Sequence, residues 1–326
     1  MGSKIRVFTA FSGYDSQCLA LERLKGTHGV DYELVGYSEI DKYAIAAHNA
    51  LFPDAIYKNC YDISKIDWEN EGNNIFDLFT PQQIPEFDLF TYSSPCQDFS
   101  SAGLQRGGEE GSGTRSSLLW ECRRVIKARK PKYLLLENVK ALTSKKFMPL
   151  LQKWLDELSS FGYFNYMKVL NAKDYGVPQN RERVFVFSIR KDVEGAAEYQ
   201  FPQPFPLRRK LRDLLEEEVD ESYYLRDEVV EKYLAKTKEN KERGLGFAFT
   251  PSSPEGTSRT IVCSGHDAPD DCRYVDMLGY TRDDRGKVVN FHPIDVANTL
   301  TTASGSGGST DQYVRTKEKD YGKEGE

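Results

Sequence analysis

The chain has 326 residues, 39% of them hydrophobic and 29% charged, with a formal net charge of −6. This is an ordinary globular composition, with room for one large domain and a smaller one. It holds no run near the roughly 18 apolar residues of a membrane span, and its acidic balance argues against a protein that only clings to nucleic acid. The N-terminal MGSKIRVFTAF enters a strand-like segment without a basic region and apolar signal core, so a cytoplasmic protein is expected. The cysteines are Cys18, Cys60, Cys96, Cys122, Cys263 and Cys272. None forms a Cys-x-x-Cys pair, so reduced thiols are expected, with no zinc ribbon, no dithiol redox centre and no metal site.

In chain order, IRVF (5–8) reads as a strand, SQCLALERLK (16–25) as an amphipathic helix, ELVGYSEI (33–40) as a strand and KYAIAAHNALF (42–52) as a helix. FDLFTY (87–92) is a strand, SSLLWECRRVIKARK (116–130) a helix and YLLLENV (133–139) a strand. FMPLLQKWLDELSSF (147–161) is a helix, followed by strands YMKVLNA (166–172) and RVFVFSI (183–189). This alternation predicts a doubly wound, mostly parallel α/β sheet with helices on both faces and ligands beyond the carboxyl ends of the strands. After Arg190 the proline-rich FPQPFP suggests a linker, and the chain then turns irregular and rich in Gly, Ser, Thr and Pro. The expected division is a catalytic domain over 1–200 and a smaller β-containing recognition region over 201–326, with a polar, charged tail. Within that region, 259–275 and 298–314 have equal length and both end in Tyr-Val. Chance is the simpler account, and two similar turns in a recognition surface the alternative.

Charge is unevenly placed. Residues 51–100 carry 2 basic and 9 acidic side chains, and residues 101–150 carry 11 basic and 4 acidic. The basic block is either a solvated helix face or a phosphate-contacting surface.

The strand ends hold the residues of interest. Gly13, in FSGYDS, sits at a strand-to-helix turn where a ligand can approach backbone. Glu39 ends the second strand, where an acid holds the two hydroxyls of a ribose, and Asp62 follows another short strand, where it can accept from an adenine amino group. The full Gly-x-Gly-x-x-Gly pattern is absent, so a nucleoside cofactor without a bound pyrophosphate is expected. S-adenosylmethionine fits that description. Residues 93–100, SSPCQDFS, place Cys96 directly after a proline in a loop of small polar residues.

The ordered blocks AFSGYDS, SEID, DIS, SSPCQDFS, TRSSLL, ENV and QNRERVF resemble those of the DNA cytosine C5-methyltransferases, over roughly residues 5–190. Singly, Cys96 reads as a buried small hydrophobe, Glu137 as an acid ending a strand and Arg181-x-Arg183 as surface charge. Their joint order decides for the family. The resemblance implies methyl transfer from S-adenosylmethionine to C5 of cytosine in duplex DNA, leaving S-adenosylhomocysteine, in a restriction–modification or phage setting. It assigns the nucleophilic thiolate to Cys96, which adds to C6 of a flipped-out base. A protonated Glu137 donates to N3, Asn138 orients that carboxyl, and Arg181 and Arg183 hold the O2 side. Cofactor contacts carry over to Phe11, Ser12, Gly13, Glu39, Ile40, Asp62, Ile63, Pro95 and Leu118. Ser94, Gln97, Arg106 and Arg115 are substrate-side candidates, and glycines at 103, 107, 108, 111 and 113 imply a loop that closes over the nucleotide. An RNA cytosine methyltransferase and an inactive DNA- or partner-binding relative are the alternatives.

Two departures stand out. Asp15 replaces the second glycine of the opening block, and is expected to crowd the cofactor. The Arg-x-Leu-Thr-x-Arg-Glu-like and Gly-Asn-x-Val-like blocks that end the family are not found, so the expectation is a truncated or frame-shifted gene or a split enzyme whose second polypeptide is a candidate partner, ahead of a divergent ending.

Overall fold

In a computed structural model, the described residues are 4–66, 84–96, 98–99, 107–216, 227–244, 249, 252–260, 275–276 and 314–315. The chain forms two units. The first comprises Met1–Leu170 with Glu182–Gln203, and the second comprises Asn171–Arg181 with Pro204–Glu326. A short segment inside the first two hundred residues therefore groups with the C-terminal part.

In chain order the described elements are β1 (Ile5–Ala10), α1 (Ser16–His28), β2 (Tyr32–Ser38), α2 (Lys42–Leu51), β3 (Leu89–Tyr92), α3 (Glu121–Arg129), β4 (Tyr133–Val139), α4 (Met148–Ser160), β5 (Tyr163–Asn171), β6 (Gln179–Asn180), β7 (Glu182–Arg190), α5 (Asp227–Glu242), β8 (Ser258–Arg259), β9 (Val275–Asp276) and β10 (Val314–Arg315). Six strands of the first unit form one sheet in the order β2-β1-β3-β4-β7-β5. The β1–β2, β1–β3 and β3–β4 pairs are parallel, and β7 runs antiparallel to β4. The mostly parallel α/β architecture expected from the sequence is what forms.

Local chemistry explains the boundaries. Asp41 caps α2 by accepting from the Tyr43 and Ala44 amides, and α1 ends on Gly29 in the left-handed conformation. The expected helix over 116–130 begins instead as a 3-10 turn, Arg115–Trp120, and becomes α3 at Glu121. Ser116 in that turn is tied to the loop after β3 by both backbone and side chain, and tight turns of this kind are common at helix starts. A β-bulge shifts the β1–β2 register between Val7 and Phe8. A Cβ at Gly36 would lie 3.0 Å from the Phe8 ring, so the glycine admits that ring to the core.

The main core runs from Phe8 through Phe90, Tyr92, Leu134 and Leu136 to α3 and α4. Trp154 of α4 is fully buried, edge-on to Tyr92 at 6.1 Å and to Trp120 at 5.5 Å, and its indole N–H donates to the Tyr92 hydroxyl at 3.2 Å. At the opposite sheet edge from the carboxyl ends, Asp88 accepts from the Arg6 amide and pairs with Lys132 at 3.1 Å. Partial burial pushes its carboxyl up, but the bonds from Arg6 and Lys132 outweigh this and hold it below the ordinary carboxylate range.

Three arginines of the basic block are committed to the protein itself. Arg123 pairs with Glu110 and Glu157. Arg124 donates to the carbonyls of Ser64 and Ile66, and Arg129 to that of Ile84 and to Glu86. These three arginines act as internal clasps, which removes them from the phosphate-contacting alternative. In the second unit β9 and β10 pair in parallel, with Val275 opposite Val314. Those are the last residues of the two equal-length segments, so the pairing register coincides with their alignment.

Trp154→Ala is expected to destabilise the protein by about 3–5 kcal/mol, from lost burial plus a residual cavity. Urea unfolding followed by far-UV circular dichroism checks this. An unchanged midpoint would mean that α4 does not anchor the sheet.

Candidate active site

Neighbouring β1 are β2 on one side and β3 on the other. The chain reverses its direction of winding there, and a crevice opens beyond the carboxyl ends of β1 and β3. Three loops and a strand end lie at this edge: 11–15 after β1, 39–41 after β2, 93–96 after β3, and the end of β4. Because β7 is antiparallel, its first residues reach the same edge, with Arg183 opposite Val139.

The first turn is built on left-handed backbone: Phe11 has φ 54°, Gly13 φ 58° and Asp15 φ 66°. Gly13 takes this conformation without strain, and a Cβ added there would meet nothing within 4 Å, so the turn has open space over it. The Gly13 amide donates to Glu39 Oε2 at 2.8 Å, and the amides of Ile40 and Asp41 donate to Oε1, each at 2.8 Å. A carboxylate has about four acceptor directions, so among the described residues three are used and one, on Oε2, stays open. Asn59 supports the same residue, accepting from the Glu39 amide at 3.2 Å and donating to its carbonyl at 3.0 Å. Ile40 presents an aliphatic side chain that is 68% exposed. Asp62 Oδ1 accepts from the amide and hydroxyl of Ser64, capping its own turn. The Ile63 side chain belongs to the main core, so that position offers a ligand backbone rather than the flanking side chain expected. Ser12 is buried, and its amide bonds the Ser38 carbonyl. Leu118 is half-buried in the 3-10 turn.

Asp15 does not crowd this turn. Its carboxylate is fully buried, accepts from the Cys18 amide as the cap of α1 and from the Thr9 hydroxyl at 2.7 Å, and faces His48 Nε2 at 3.5 Å. His48 is itself stacked on Tyr37 at 3.8 Å. The acid therefore points into the protein, as a structural strut beneath the turn.

Cys96 is half-buried in the loop after β3. Ser94, ahead of it, is buried and accepts from the Asn138 side-chain amide through its carbonyl at 3.1 Å and its hydroxyl at 3.4 Å. The Gln17 side chain on α1 donates to the Ser93 hydroxyl at 3.0 Å. Glu137 Oε1 lies 3.1 Å from Arg183 Nε. The β4–β7 register explains this pair, since Glu137 faces Phe185 and Arg183 lies diagonally across. Asn138 points to the other face of β4 and serves the Cys96 loop, rather than orienting the Glu137 carboxyl as expected. Ser94 is likewise occupied internally. Arg181 falls in the second unit, where its amide donates to Asn171 Oδ1 at 3.0 Å. Arg115 is exposed at the start of its turn. Gln97, Arg106 and Gly103 lie outside the described residues. Gly108 is a packing glycine rather than a flexible one: its carbonyl accepts from the Trp120 indole, and a Cβ there would come within 2.5 Å of the Phe99 ring.

The other described thiols are disqualified by burial. Burial pushes the Cys60 thiol up to about 12, and pushes Cys18, beside Asp15, and Cys122 well above the ordinary thiol range. Sequence reasoning missed Gln17, Asn59, Asp98 and Ser116, all of which hold the site from behind. Asp98 and Ser116 stand inside the quoted blocks, but their reciprocal bonding spans 18 positions and has no local signal.

Strand order, loop placement and the Glu137–Arg183 pair define a Rossmann-like transferase fold. The family model for C-5 cytosine-specific DNA methylases matches residues 5–321, and the chain belongs to that family. It is 39% identical over 264 residues to the type II methyltransferase M2.ScrFI of Lactococcus lactis subsp. cremoris, covering 69% of this chain and 71% of that protein. It is 33% identical to the orphan methyltransferase M.SssI of Spiroplasma monobiae, covering 80% of each. Of the orphan methyltransferase M.Rho11sI of Bacillus phage rho11s, 34% identical, the match spans 50%. In fold it is similar to the S. pombe Dnmt2 methyltransferase, with TM-score 0.58 and 18% identity over 83% of this chain and 74% of that one.

Asp15→Ala is expected to cost about 2–4 kcal/mol, from the lost cap, unsatisfied buried partners and left-handed backbone strain. Asp15→Gly removes the last of these and should be milder, and Asp15→Asn, which can still cap, milder again. Thermal and urea unfolding of the three variants check the ranking.

Proposed function

We propose that this protein transfers a methyl group from S-adenosylmethionine to C5 of cytosine in duplex DNA, through a covalent bond between Cys96 and C6 of a flipped-out base. The observation that carries this reading is the meeting, at one edge of the sheet, of a half-buried thiol and the Glu137–Arg183 pair. Asn138, next to Glu137, bonds the loop that bears the thiol.

The turn at Gly13, the open direction on Glu39 Oε2 and the exposed Ile40 suit the ribose and adenine of a nucleoside cofactor. When bound there, S-adenosylmethionine supplies an electrophilic methyl group. The Cys96 thiolate adds to C6 of cytosine while Glu137 donates a proton to N3, which makes C5 nucleophilic. Arg183 holds the Glu137 carboxyl on the substrate face. Once C5 is methylated its proton leaves to a base, the C6–S bond breaks, and N3 returns its proton to Glu137. A stacked base cannot enter such a crevice, so it must rotate out of the duplex. Sequence recognition falls to the region over 201–326. The protein acts in the cytoplasm.

The test is incubation with S-adenosylmethionine and a duplex library carrying 5-fluorocytosine, in which fluorine replaces the departing proton. A denaturation-resistant adduct is expected with the wild type and none with Cys96→Ala. Glu137→Gln should slow its formation by about 10²–10⁴-fold. An adduct that survives in Cys96→Ala sinks the assignment of the nucleophile. A preference for fluorinated tRNA over the duplex sinks that of the substrate. If only added second polypeptide yields the adduct, the active species is a two-chain enzyme.

A further inference from the structure

We propose that Ser116 is a positioning residue for the nucleophile, acting on both ends of the short arc that carries Cys96. This inference rests on the reading of Cys96 as the nucleophile. Ser116 is fully buried. Its hydroxyl donates to the Pro95 carbonyl at 2.7 Å and accepts from the Asp98 amide at 3.3 Å. Its own amide donates to Asp98 Oδ2 at 3.2 Å. A hydroxyl has one proton to give, and this one is spent on the residue directly before Cys96. One side chain thus pins the chain at positions 95 and 98, with the thiol between.

The pins are themselves held. The Asp98 carbonyl accepts from the Gly107 amide at 3.0 Å, and the Gly107 carbonyl accepts from the Thr114 hydroxyl at 2.9 Å. Phe99 is fully buried against Gly108 and edge-on to Phe147 at 5.2 Å. The 3-10 turn bearing Ser116 leads into α3, so the arc is referenced to a rigid element. Thiolate addition needs sulfur at a fixed approach to C6, and small misplacements of a reacting atom are costly. Ser116 acts only through Pro95 and Asp98.

Ser116→Ala removes the hydroxyl. Adduct formation on the 5-fluorocytosine duplex is expected to slow by about 10- to 100-fold. The Michaelis constants for DNA and S-adenosylmethionine should stay within about twofold, because the loss is of orientation. Alkylation of Cys96 by iodoacetamide, which needs no docked partner, should be as fast as in the wild type or faster. Ser116→Thr, which restores a hydroxyl, should recover most of the adduct rate. Should the alanine variant fail to fold, Ser116→Cys, similar in shape but a weak donor, is read by the same criteria. An adduct rate equal to wild type overturns the proposal, as does a parallel loss of adduct rate, DNA binding and alkylation, which marks a merely structural residue. Cys96→Ala run alongside separates the two failures: persistent trapping there defeats the nucleophile assignment, whereas its loss with normal Ser116→Ala defeats only the positioning role.

Discussion

The bond from the Asn138 side-chain amide to the Ser94 carbonyl, 3.1 Å long and buried, ties together the parts of the site. The end of β4 offers Glu137 on one face and Asn138 on the other, so one strand can serve the substrate side and the thiol loop at once. That division follows from the two-residue period of a strand. The same amide group could not hold the loop if Asn138 were moved by one position. The spacing of acid and amide is therefore a geometric requirement, and the antiparallel β7 completes it by bringing Arg183 diagonally onto Glu137.

The cofactor side is organised by a different device. Glu39 collects three backbone N–H groups, from Gly13, Ile40 and Asp41, and so welds the turn after β1 to the turn after β2. Beneath the weld lies Asp15, which joins Thr9 of β1, the start of α1 and His48 of α2. A glycine at position 15 would give backbone freedom and nothing else. The aspartate accepts the left-handed conformation, which Asp tolerates better than most residues, and gains a buried anchor in return. The two acids differ only in where their carboxylates face: Glu39 toward an open turn, Asp15 into the protein.

Much of this was legible in the sequence, and the rest was not, for identifiable reasons. Alternating strands and helices gave the sheet, because parallel strands and amphipathic helices have distinct periods. The placement of Glu39, Cys96, Glu137 and Arg183 at one edge was legible because each lies at or just beyond the end of a strand there. The direction of the Asp15 side chain was illegible, since one residue type serves as a helix cap or a ligand contact depending on a single backbone angle. The side-chain directions of Ile63 and Asn138 were illegible for a related reason: a block of sequence names positions, but burial and strand phase decide which way each side chain faces. The internal use of Arg123, Arg124 and Arg129 depends on carbonyls far away in the chain, and no local pattern encodes it.

Those three arginines also bear on how an acidic protein meets DNA. With their guanidinium groups held by Glu110, Glu157, Glu86 and backbone carbonyls, three of the eleven cations over 101–150 are taken out of the positive surplus that could meet phosphate. Their first effect is to fasten α3 to Glu110, to the carbonyls of Ser64 and Ile66, and to Ile84 and Glu86. Each guanidinium spans two acceptors with a planar fork of fixed geometry, which the compact ammonium of a lysine does not offer. Charge that looked like affinity for a polyanion in the sequence is, for these residues, spent on ion pairs and carbonyls within the protein. Arg115, at the start of the 3-10 turn that leads into α3, stays exposed, so one short stretch of chain carries both an outward-facing cation and the Ser116 hydroxyl that bonds the loop of Cys96.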